Sequence, residues 1–432
     1  MKSIRQAEIN DKGHLVFSGC DTVELAKEYG TPLYVISEDE IRSRCSRIRE
    51  VFLEKYPDTQ VLYASKAFSN ISTYRMINEE GFGIDVVSGG ELYTAIKAGF
   101  PMEKVYFHGN NKTMEEIRFG IDNNVGCFVI DNEYEMELIA KFAAEKGKKV
   151  KALLRITPGV SGYTHDHITT GQVDSKFGFP IIGSYAINAV KKIMGYESIS
   201  FAGIHCHIGS LIFNTEAYRE TARIMADFAN TIKEDCGLEI RELNMGGGFG
   251  VYDMQNNCYT AIEDFTDVIM STLKEKYDQF GLKLPTILIE PGRWLMGESG
   301  ITLYTIGAIK DIKGVRKYVS VDGGMADNPR HALYQSVYNA VVANKAAEPC
   351  TDTVTIAGKC CESGDVLIRN LKTPKLQPGD ILAVLGTGAY NYSMASNYNR
   401  ITKPALIMVK AGQPRVIIKR ETYDDLIRQE AL

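Results

Sequence analysis

The sequence has no long apolar stretch, no regular cysteine spacing and no block of like charge. No apolar run in its 432 residues is long enough to span a bilayer, and the first residues lack the apolar core of a secretory signal. Its nine cysteines include no CxxC pair, and we predict no metal site at them or at the pairs His165-His167 and His205-His207. These absences predict a soluble, cytoplasmic protein with reduced thiols.

Charges of both signs are spread along the chain. Asp and Glu together number 54, against 49 for Lys and Arg, and no basic cluster interrupts the mixture. A protein that binds nucleic acid generally shows a concentrated positive surface. We therefore expect a small-molecule substrate, with neither nucleic acid nor a membrane as partner.

Short β-branched or aromatic runs alternate with longer amphipathic stretches from about residue 36 to residue 290. This alternation is typical of repeated βα units around a parallel sheet. The expected strands are Val61–Ala64, Gly83–Val87, Val105–His108, Phe128–Ile130, Ala152–Ile156, Ala202–His207, Leu243–Met245 and Ile287–Glu290. Eight strands favour a closed (β/α)8 barrel of the TIM type, although a doubly wound open sheet also fits the pattern.

The positions of polar residues favour the barrel over the open sheet. In a parallel barrel the carboxyl ends of all strands lie at one mouth, where such folds place their chemistry. The polar residues at or just past the ends of the runs are Lys66, Asp85, Asn110, Asp131, Arg155, His207, Gly246 to Gly248 and Glu290.

The chain becomes β-rich after about residue 300, with Gly and Pro turns between the segments. The segments are Ile301–Ile306, Thr353–Ile356, Ile381–Leu385 and Val416–Lys419. They predict an all-β domain, sandwich-like or barrel-like. Gly13–Phe17 and Thr31–Val35 also have strand character and are candidates to pair with it. We therefore expect a barrel domain over residues 36–290 and a β domain from residues 1–35 and 291–432.

The strand-end residues offer groups that pyridoxal phosphate needs from a protein. Lys66 supplies an amine for its aldehyde, and the carboxylate of Glu290 suits its protonated ring nitrogen. His207 can stack on the ring, while Asp85 could orient His207 or Lys66. The simpler alternatives are that Lys66 is a solvated charge and that Glu290 pairs with the neighbouring Arg293.

The run Gly246-Gly247-Gly248 is a candidate phosphate cradle. Consecutive glycines let backbone N–H groups approach a phosphate closely, and a helix that follows them would add its dipole. The hydroxyl groups of Ser210 and Tyr390 could donate further hydrogen bonds. An ordinary tight turn is the alternative reading of the glycines alone.

Three residues of the β-rich part could act on an amino-acid substrate. The thiol of Cys361 is protonated at neutral pH and can give a proton to a carbanion, although most cysteines are inert and buried. Glu362 can bind a substrate ammonium group, and Arg330 offers two parallel donors to a carboxylate. Together they predict recognition of the far end of an amino acid.

These motifs resemble the alanine racemase-like pyridoxal phosphate enzymes of fold type III and, among them, the diaminopimelate decarboxylases. The resemblance extends over nearly the whole chain. The matching segments are Tyr63–Ala67, Ser175–Gly178, His205–Ser210, Gly246–Gly248, Glu290–Arg293, Arg330–Tyr334, Cys361–Asp365 and Gly388–Tyr390. The family decarboxylates meso-2,6-diaminopimelate to L-lysine and carbon dioxide, the last step of lysine biosynthesis, and the resemblance implies this activity here.

The resemblance also implies a head-to-tail homodimer with shared active sites. In the family, the residues that match Cys361 and Glu362 enter the partner's site, where they protonate the substrate and bind its distal ammonium group. Gly292, Arg293 and Tyr390 would join the cofactor site. Arg293, Arg330, Tyr334 and Tyr390 would bind the substrate, chiefly its distal carboxylate.

Other activities remain open on sequence grounds. A decarboxylase of ornithine, lysine or arginine would share the fold, but its substrates end in a cation alone, which Arg330 would repel. An amino acid racemase would use a lysine and a tyrosine on opposite faces of the cofactor. A non-catalytic pyridoxal phosphate carrier would have no need for Cys361 and Arg330.

Overall fold

The computed structural model describes residues 7–160, 175–253 and 258–431. His165 and His167 therefore lie outside the described residues. The chain divides into two compact units, Cys45–Trp294 and the combination of Met1–Arg44 with Leu295–Leu432. They are called the barrel unit and the β unit below.

Within the described residues, eight parallel strands of the barrel unit close on themselves. Each strand pairs with the next in chain order, and the eighth pairs with the first. The closure confirms the barrel and excludes the open sheet. From first to eighth, the strands are Thr59–Ala64, Gly83–Val86, Val105–Phe107, Cys127–Ile130, Val150–Thr157, Ile199–His205, Glu242–Asn244 and Thr286–Ile289.

Capped amphipathic helices connect these strands. Side chains of Asn70, Ser88 and Asn132 each accept a backbone N–H of the first helical turn, and Thr113 and Glu116 form a reciprocal capping box. The main helices of the unit are Ile71–Glu79, Gly89–Ala98, Met114–Asp122, Glu133–Glu145, Tyr185–Met194, Thr215–Cys236 and Ile262–Phe280. In the described parts of the chain, no helix has the length and apolar character needed to cross a membrane.

The interior of the barrel is filled with side chains. Its buried cluster consists of Leu62, Tyr106, Cys127, Val129, Leu153, Ala202 and Leu288. At the amino-terminal end, Glu242 accepts hydrogen bonds from Tyr106 (2.9 Å) and Lys151 (2.8 Å). The interior is therefore a packed core, and barrels of this type place their ligand sites at the carboxyl-terminal rim.

The β unit is organised around the long strand Gly300–Ile312. It pairs with Leu33–Ser37, Ile381–Leu385 and Arg316–Val321, and its register against Arg316–Val321 shifts between Ile306 and Ile309. The remaining strands are Ala340–Val342, Asp352–Ala357, Val366–Thr373, Ala405–Lys410 and Gln413–Ile418. The β-rich prediction is confirmed, and Leu33–Ser37 joins this sheet as expected.

The other N-terminal strand, Leu15–Phe17, forms a small separate sheet. It pairs with Ala7–Ile9 and Cys20–Asp21 rather than with a strand of the main β sheet. Leu15 and Phe17 are nevertheless buried in the β unit, in one apolar cluster with strand residues of the main sheet. Packing of side chains, not strand pairing, therefore attaches this segment.

We expect Gly203→Ala to destabilise the barrel by about 2–3 kcal/mol. A Cβ at Gly203 would lie 1.8 Å from the carbonyl oxygen of Glu242 on the adjacent strand, so the strands would have to separate. Urea unfolding followed by circular dichroism measures the change. Gly90→Ala is the control, because its Cβ would meet only Ser88 Oγ at 3.7 Å. Equal stability of the two variants would contradict the close-contact argument.

Candidate active site

Lys66 lies in a 3-10 turn, Ser65–Ala67, directly after the first barrel strand. Its side chain is half-buried, and its neighbour Asp85 is buried on the second strand. The carboxylate of Asp85 accepts the backbone N–H of Ser65 at 2.9 Å. Asp85 thus holds the turn that carries Lys66, while burial and the nearby Glu290 raise the pKa of Asp85 well above its usual range.

Glu290 follows the eighth strand and is surrounded by polar side chains whose contacts with it sequence reasoning missed. One carboxylate oxygen lies 2.9 Å from His108 Nε2 and accepts Asn244 Nδ2 at 2.8 Å, and the other lies 3.3 Å from His205 Nε2. Burial opposes ionisation, yet His108 and His205 bring the pKa of Glu290 well below its usual range. Glu290 is therefore a buried anion at the barrel rim.

His207 stands two residues past the sixth strand, beside the glycine run. Its Nδ1 accepts the backbone N–H of Gly247 at 3.4 Å. Desolvation, and then the positive charges of Lys66 and Arg155, lower the pKa of His207 well below its usual range. The ring is thus a neutral, flat group on the same rim as Lys66.

The three glycines are required by close approach of backbone segments. A Cβ at Gly246 would lie 2.4 Å from Cys206 O, at Gly247 2.0 Å from Glu290 O, and at Gly248 2.2 Å from Gly209 O. Gly246 and Gly248 also have φ of +67° and +99°, which favours glycine. The run therefore fits between the loops that carry His207 and Glu290.

The helix expected directly after the glycines is absent from residues 249–253. Gly248 O accepts the N–H of Ile212, and Ile212 forms a parallel bridge with Phe249, so the chain runs on in extended form. The next helix, Ile262–Phe280, begins well beyond the run. Residues 249–253 therefore add no helix dipole at the glycines. Ser210, by contrast, lies exposed on the neighbouring loop.

Gly292 and Arg293 begin the segment after Glu290. A Cβ on Gly292 would lie 2.9 Å from the Cβ of Ala64, and Pro291 O accepts the Ala64 N–H at 3.2 Å. This contact fixes the end of the first strand against the end of the eighth. Arg293 opens the short helix Arg293–Met296.

Asp131 and Arg155 stabilise a loop at the same rim. Asp131 accepts the N–H of Gly178 at 2.9 Å, and the Arg155 guanidinium lies over the ring of Phe177 at 4.1 Å. Asn110 acts through its backbone oxygen, which accepts Asn132 Nδ2 at 3.0 Å. These strand-end residues therefore make structural contacts within the described residues.

In the β unit, Arg330 is brought together with Tyr334 and Tyr390. Its guanidinium carbon lies 4.8 Å from the ring centre of Tyr334 and 5.2 Å from that of Tyr390. Tyr390 has a positive φ of +65°, and Tyr334 is 61% exposed. The planar cation is thus held between two aromatic rings with hydroxyl groups, a suitable environment for a carboxylate.

Cys361 and Glu362 lie on an exposed loop before the strand Val366–Thr373. The Cys361 N–H donates to Asn399 Oδ1 at 2.7 Å, and the thiol is free. The buried carboxylate of Asp365 anchors the loop by accepting the N–H groups of Cys360 (2.8 Å) and Met325 (2.7 Å). The loop therefore presents a thiol and a carboxylate on a fixed base.

Residues 38–297 match the family model described as pyridoxal-dependent decarboxylase, pyridoxal binding domain. The diaminopimelate decarboxylase of Bacillus subtilis is 46% identical over 97% of this chain and 95% of its own length. The chain belongs to the diaminopimelate decarboxylase family of pyridoxal-dependent decarboxylases. Its cofactor is pyridoxal phosphate.

Two further members of the family illustrate how far the similarity extends. The diaminopimelate decarboxylase of Staphylococcus aureus is 44% identical over 97% of this chain and 98% of its own length. The crystal structure of the M. jannaschii diaminopimelate decarboxylase in co-complex with L-lysine superposes with a TM-score of 0.93. It is 36% identical and covers 100% of this chain and 98% of the other.

The barrel rim fits the cofactor chemically. Glu290 is a buried anion whose second carboxylate oxygen lies 3.3 Å from His205 Nε2, and a carboxylate oxygen with two lone pairs can accept a pyridinium N–H. Lys66 offers an amine on the neighbouring first strand, and His207 a neutral ring. The glycine run keeps side chains away from the loop between them. The required amine, anion and flat group are thus all at one rim.

Asp327 is expected to contribute a loss of stability as pH rises from about 4 to about 7. Burial raises the pKa of Asp327 to about 7, against the hydrogen bond from Tyr304. The folded state then keeps a proton that the unfolded state has lost. In Asp327→Asn, the decrease of Tm across this range should be smaller. Asp311→Asn, at an exposed position of the same unit, should retain the wild-type slope, and equal slopes in all three proteins would contradict the assignment.

Proposed function

We propose that this protein removes carbon dioxide from meso-2,6-diaminopimelate and releases L-lysine, with pyridoxal phosphate as cofactor. The observation that carries the proposal is the identity of 46% with the Bacillus subtilis diaminopimelate decarboxylase, which extends through both units. The complex of the M. jannaschii diaminopimelate decarboxylase with L-lysine supports the same substrate class. We place the reaction in the cytoplasm.

The barrel unit would hold the cofactor. Lys66 would bind its aldehyde, Glu290 its ring nitrogen, and His207 one face of its ring. Donors near the glycine run, with hydroxyl groups of Ser210 and Tyr390, would bind its phosphate. When bound, pyridoxal phosphate supplies an electron-accepting ring that stabilises the negative charge left at Cα by the departing carboxylate.

The residues around the rim would act by position and charge. Asp85 fixes the turn that carries Lys66, through the Ser65 N–H. The anionic Glu290 would keep a proton on the ring nitrogen, because a buried carboxylate is stabilised by a cationic partner. Gly292 keeps the first and eighth strand ends close, so that the amine and the carboxylate stay at a constant separation.

The β unit would recognise and protonate the substrate. Arg330, between its two tyrosine rings, would bind the distal carboxylate together with Arg293 and Tyr334. Glu362 would bind the distal ammonium group. The thiol of Cys361 would donate its proton to Cα, and the orientation of the substrate would select the carboxylate that leaves.

We further propose a homodimer in which two copies of the chain complete each active site. The barrel domain, residues 36–290, would bind the cofactor, and residues 1–35 with 291–432 would supply the substrate residues. Cys361 and Glu362 are exposed, so they are available to the site of a second copy. The family resemblance supports this head-to-tail arrangement.

Polyamine-forming decarboxylases are the nearest alternative, but their similarity shows the fold alone. The lysine decarboxylase of Selenomonas ruminantium is 22% identical, with a TM-score of 0.78. Lysine, after which that enzyme is named, carries a cation at its far end. Arg330 is a buried cation, which would attract an anionic group and repel another cation. A racemase and a non-catalytic carrier are likewise less well supported, because the relatives described above are decarboxylases by name.

Carbon dioxide release is expected with diaminopimelate and not with ornithine or lysine. Arg330→Ala should lower kcat/KM for diaminopimelate by about 100-fold, because a charge-assisted pair with the distal carboxylate is lost. Arg316→Ala, at an exposed arginine of the same unit, is the matched control and should keep wild-type values. Faster turnover of ornithine, or an unchanged rate in Arg330→Ala, would argue for another substrate.

Mixing two inactive variants tests the shared site. Lys66→Ala and Cys361→Ala homodimers should each be inactive, but a mixed dimer has one site with both native residues. After dissociation and reassociation of an equal mixture, about one quarter of wild-type activity should return if subunits exchange at random. Mixing Lys66→Ala with Glu290→Ala, both in the barrel unit, is the control and should restore nothing. Failure of the first mixture, with exchange verified by mass spectrometry, would contradict the shared site.

A further inference from the structure

Glu290 is a carboxylate of the candidate site with buried neighbours on several sides. Its side chain is 7% exposed, that of His108 6% and that of His205 1%. The two imidazole rings meet edge to face, with centres 4.7 Å apart, and Asn244 Nδ2 reaches the same oxygen as His108. Three buried side chains from three different strand ends thus converge on one carboxylate.

The two rings are suited to act as neutral donors. Burial lowers the pKa of His205 to about 4 and also lowers the pKa of His108, in both cases against the opposing effect of Glu290. A neutral imidazole still carries one N–H, and the Nε2 atoms are the ones that face the carboxylate. A carboxylate that accepts several N–H groups stays ionised even when buried.

From this geometry we infer that His108 and His205 are positioning residues for the cofactor's ring nitrogen, acting through Glu290. With Nε2 atoms 2.9 and 3.3 Å from its oxygens, they keep its carboxylate anionic and in place, so that it accepts the pyridinium N–H. The inference rests on the proposed placement of the cofactor. Neither histidine needs to touch the substrate or the reacting atoms, and neither needs to exchange a proton.

Replacement of the two histidines is expected to reduce the preference of the protein for a cofactor with a ring nitrogen over one without it. Cofactor-free protein is titrated with pyridoxal phosphate and with its 1-deaza analogue, in which a C–H replaces the ring nitrogen, and the ratio of the two Kd values is taken. The wild type should prefer the natural cofactor by roughly 10- to 100-fold, the value of one hydrogen bond to a charged group. In the double variant His108→Leu/His205→Leu, Glu290 takes up a proton, and the ratio should fall below about threefold.

Conservative substitutions separate this role from a merely structural one. His108→Gln/His205→Gln keeps an N–H near each Nε2 position and should largely restore the wild-type ratio. His14→Leu is the control, since His14 Nδ1 also lies 2.9 Å from a carboxylate, that of Asp21, but in the β unit. Its ratio should equal that of the wild type. Circular dichroism checks folding, and if the double leucine variant is unfolded, each single leucine variant should still lower the ratio.

Two results would overturn the inference, and they differ in meaning. Folded leucine variants with the wild-type ratio would show that Glu290 is held without the histidines. A wild-type ratio near one would show that Glu290 does not face the ring nitrogen, and the proposed cofactor placement would fail together with the inference. Because the readout is binding, both results are independent of turnover.

Discussion

A carboxylate buried at the end of the eighth barrel strand is the interaction on which the rest of the site depends. An isolated anion in the protein interior is unstable, so Glu290 requires donors from several directions. Asn244 donates to it from the seventh strand end, and the Nε2 atoms of His108 and His205 lie 2.9 and 3.3 Å from it at the third and sixth strand ends. The registers of four strands are therefore linked by one side chain, and a shift of any strand would leave a charge unpaired.

Backbone contacts determine the shape of the rim around this carboxylate. Gly246, Gly247 and Gly248 lie so close to neighbouring carbonyl oxygens that no Cβ could be accommodated. The same absence of side chains is what the proposed phosphate cradle would require. Close packing and the proposed binding surface would thus select the same residue type at the same positions.

The two units provide different chemistry. The barrel unit concentrates buried titratable groups whose charge states are set by desolvation and by each other. The β unit presents Arg330 between aromatic rings and carries Cys361 and Glu362 on an exposed loop with a buried anchor, Asp365. Such a division would allow the cofactor-binding residues to be common to a wide family, while the residues that bind the far end of the substrate differ.

The sequence by itself determined the barrel, the β-rich second part and the rim positions of Lys66 and Glu290. These are local signals, because strand length, alternation and the residue that ends a strand are all set by neighbours in the chain. The tertiary structure decided the partners. His108 and His205 carry no local sign that they meet Glu290, and the glycine run was followed by a bridge to Ile212 instead of a helix. Contacts between residues far apart in the chain depend on barrel closure, which brings their strand ends together only after folding.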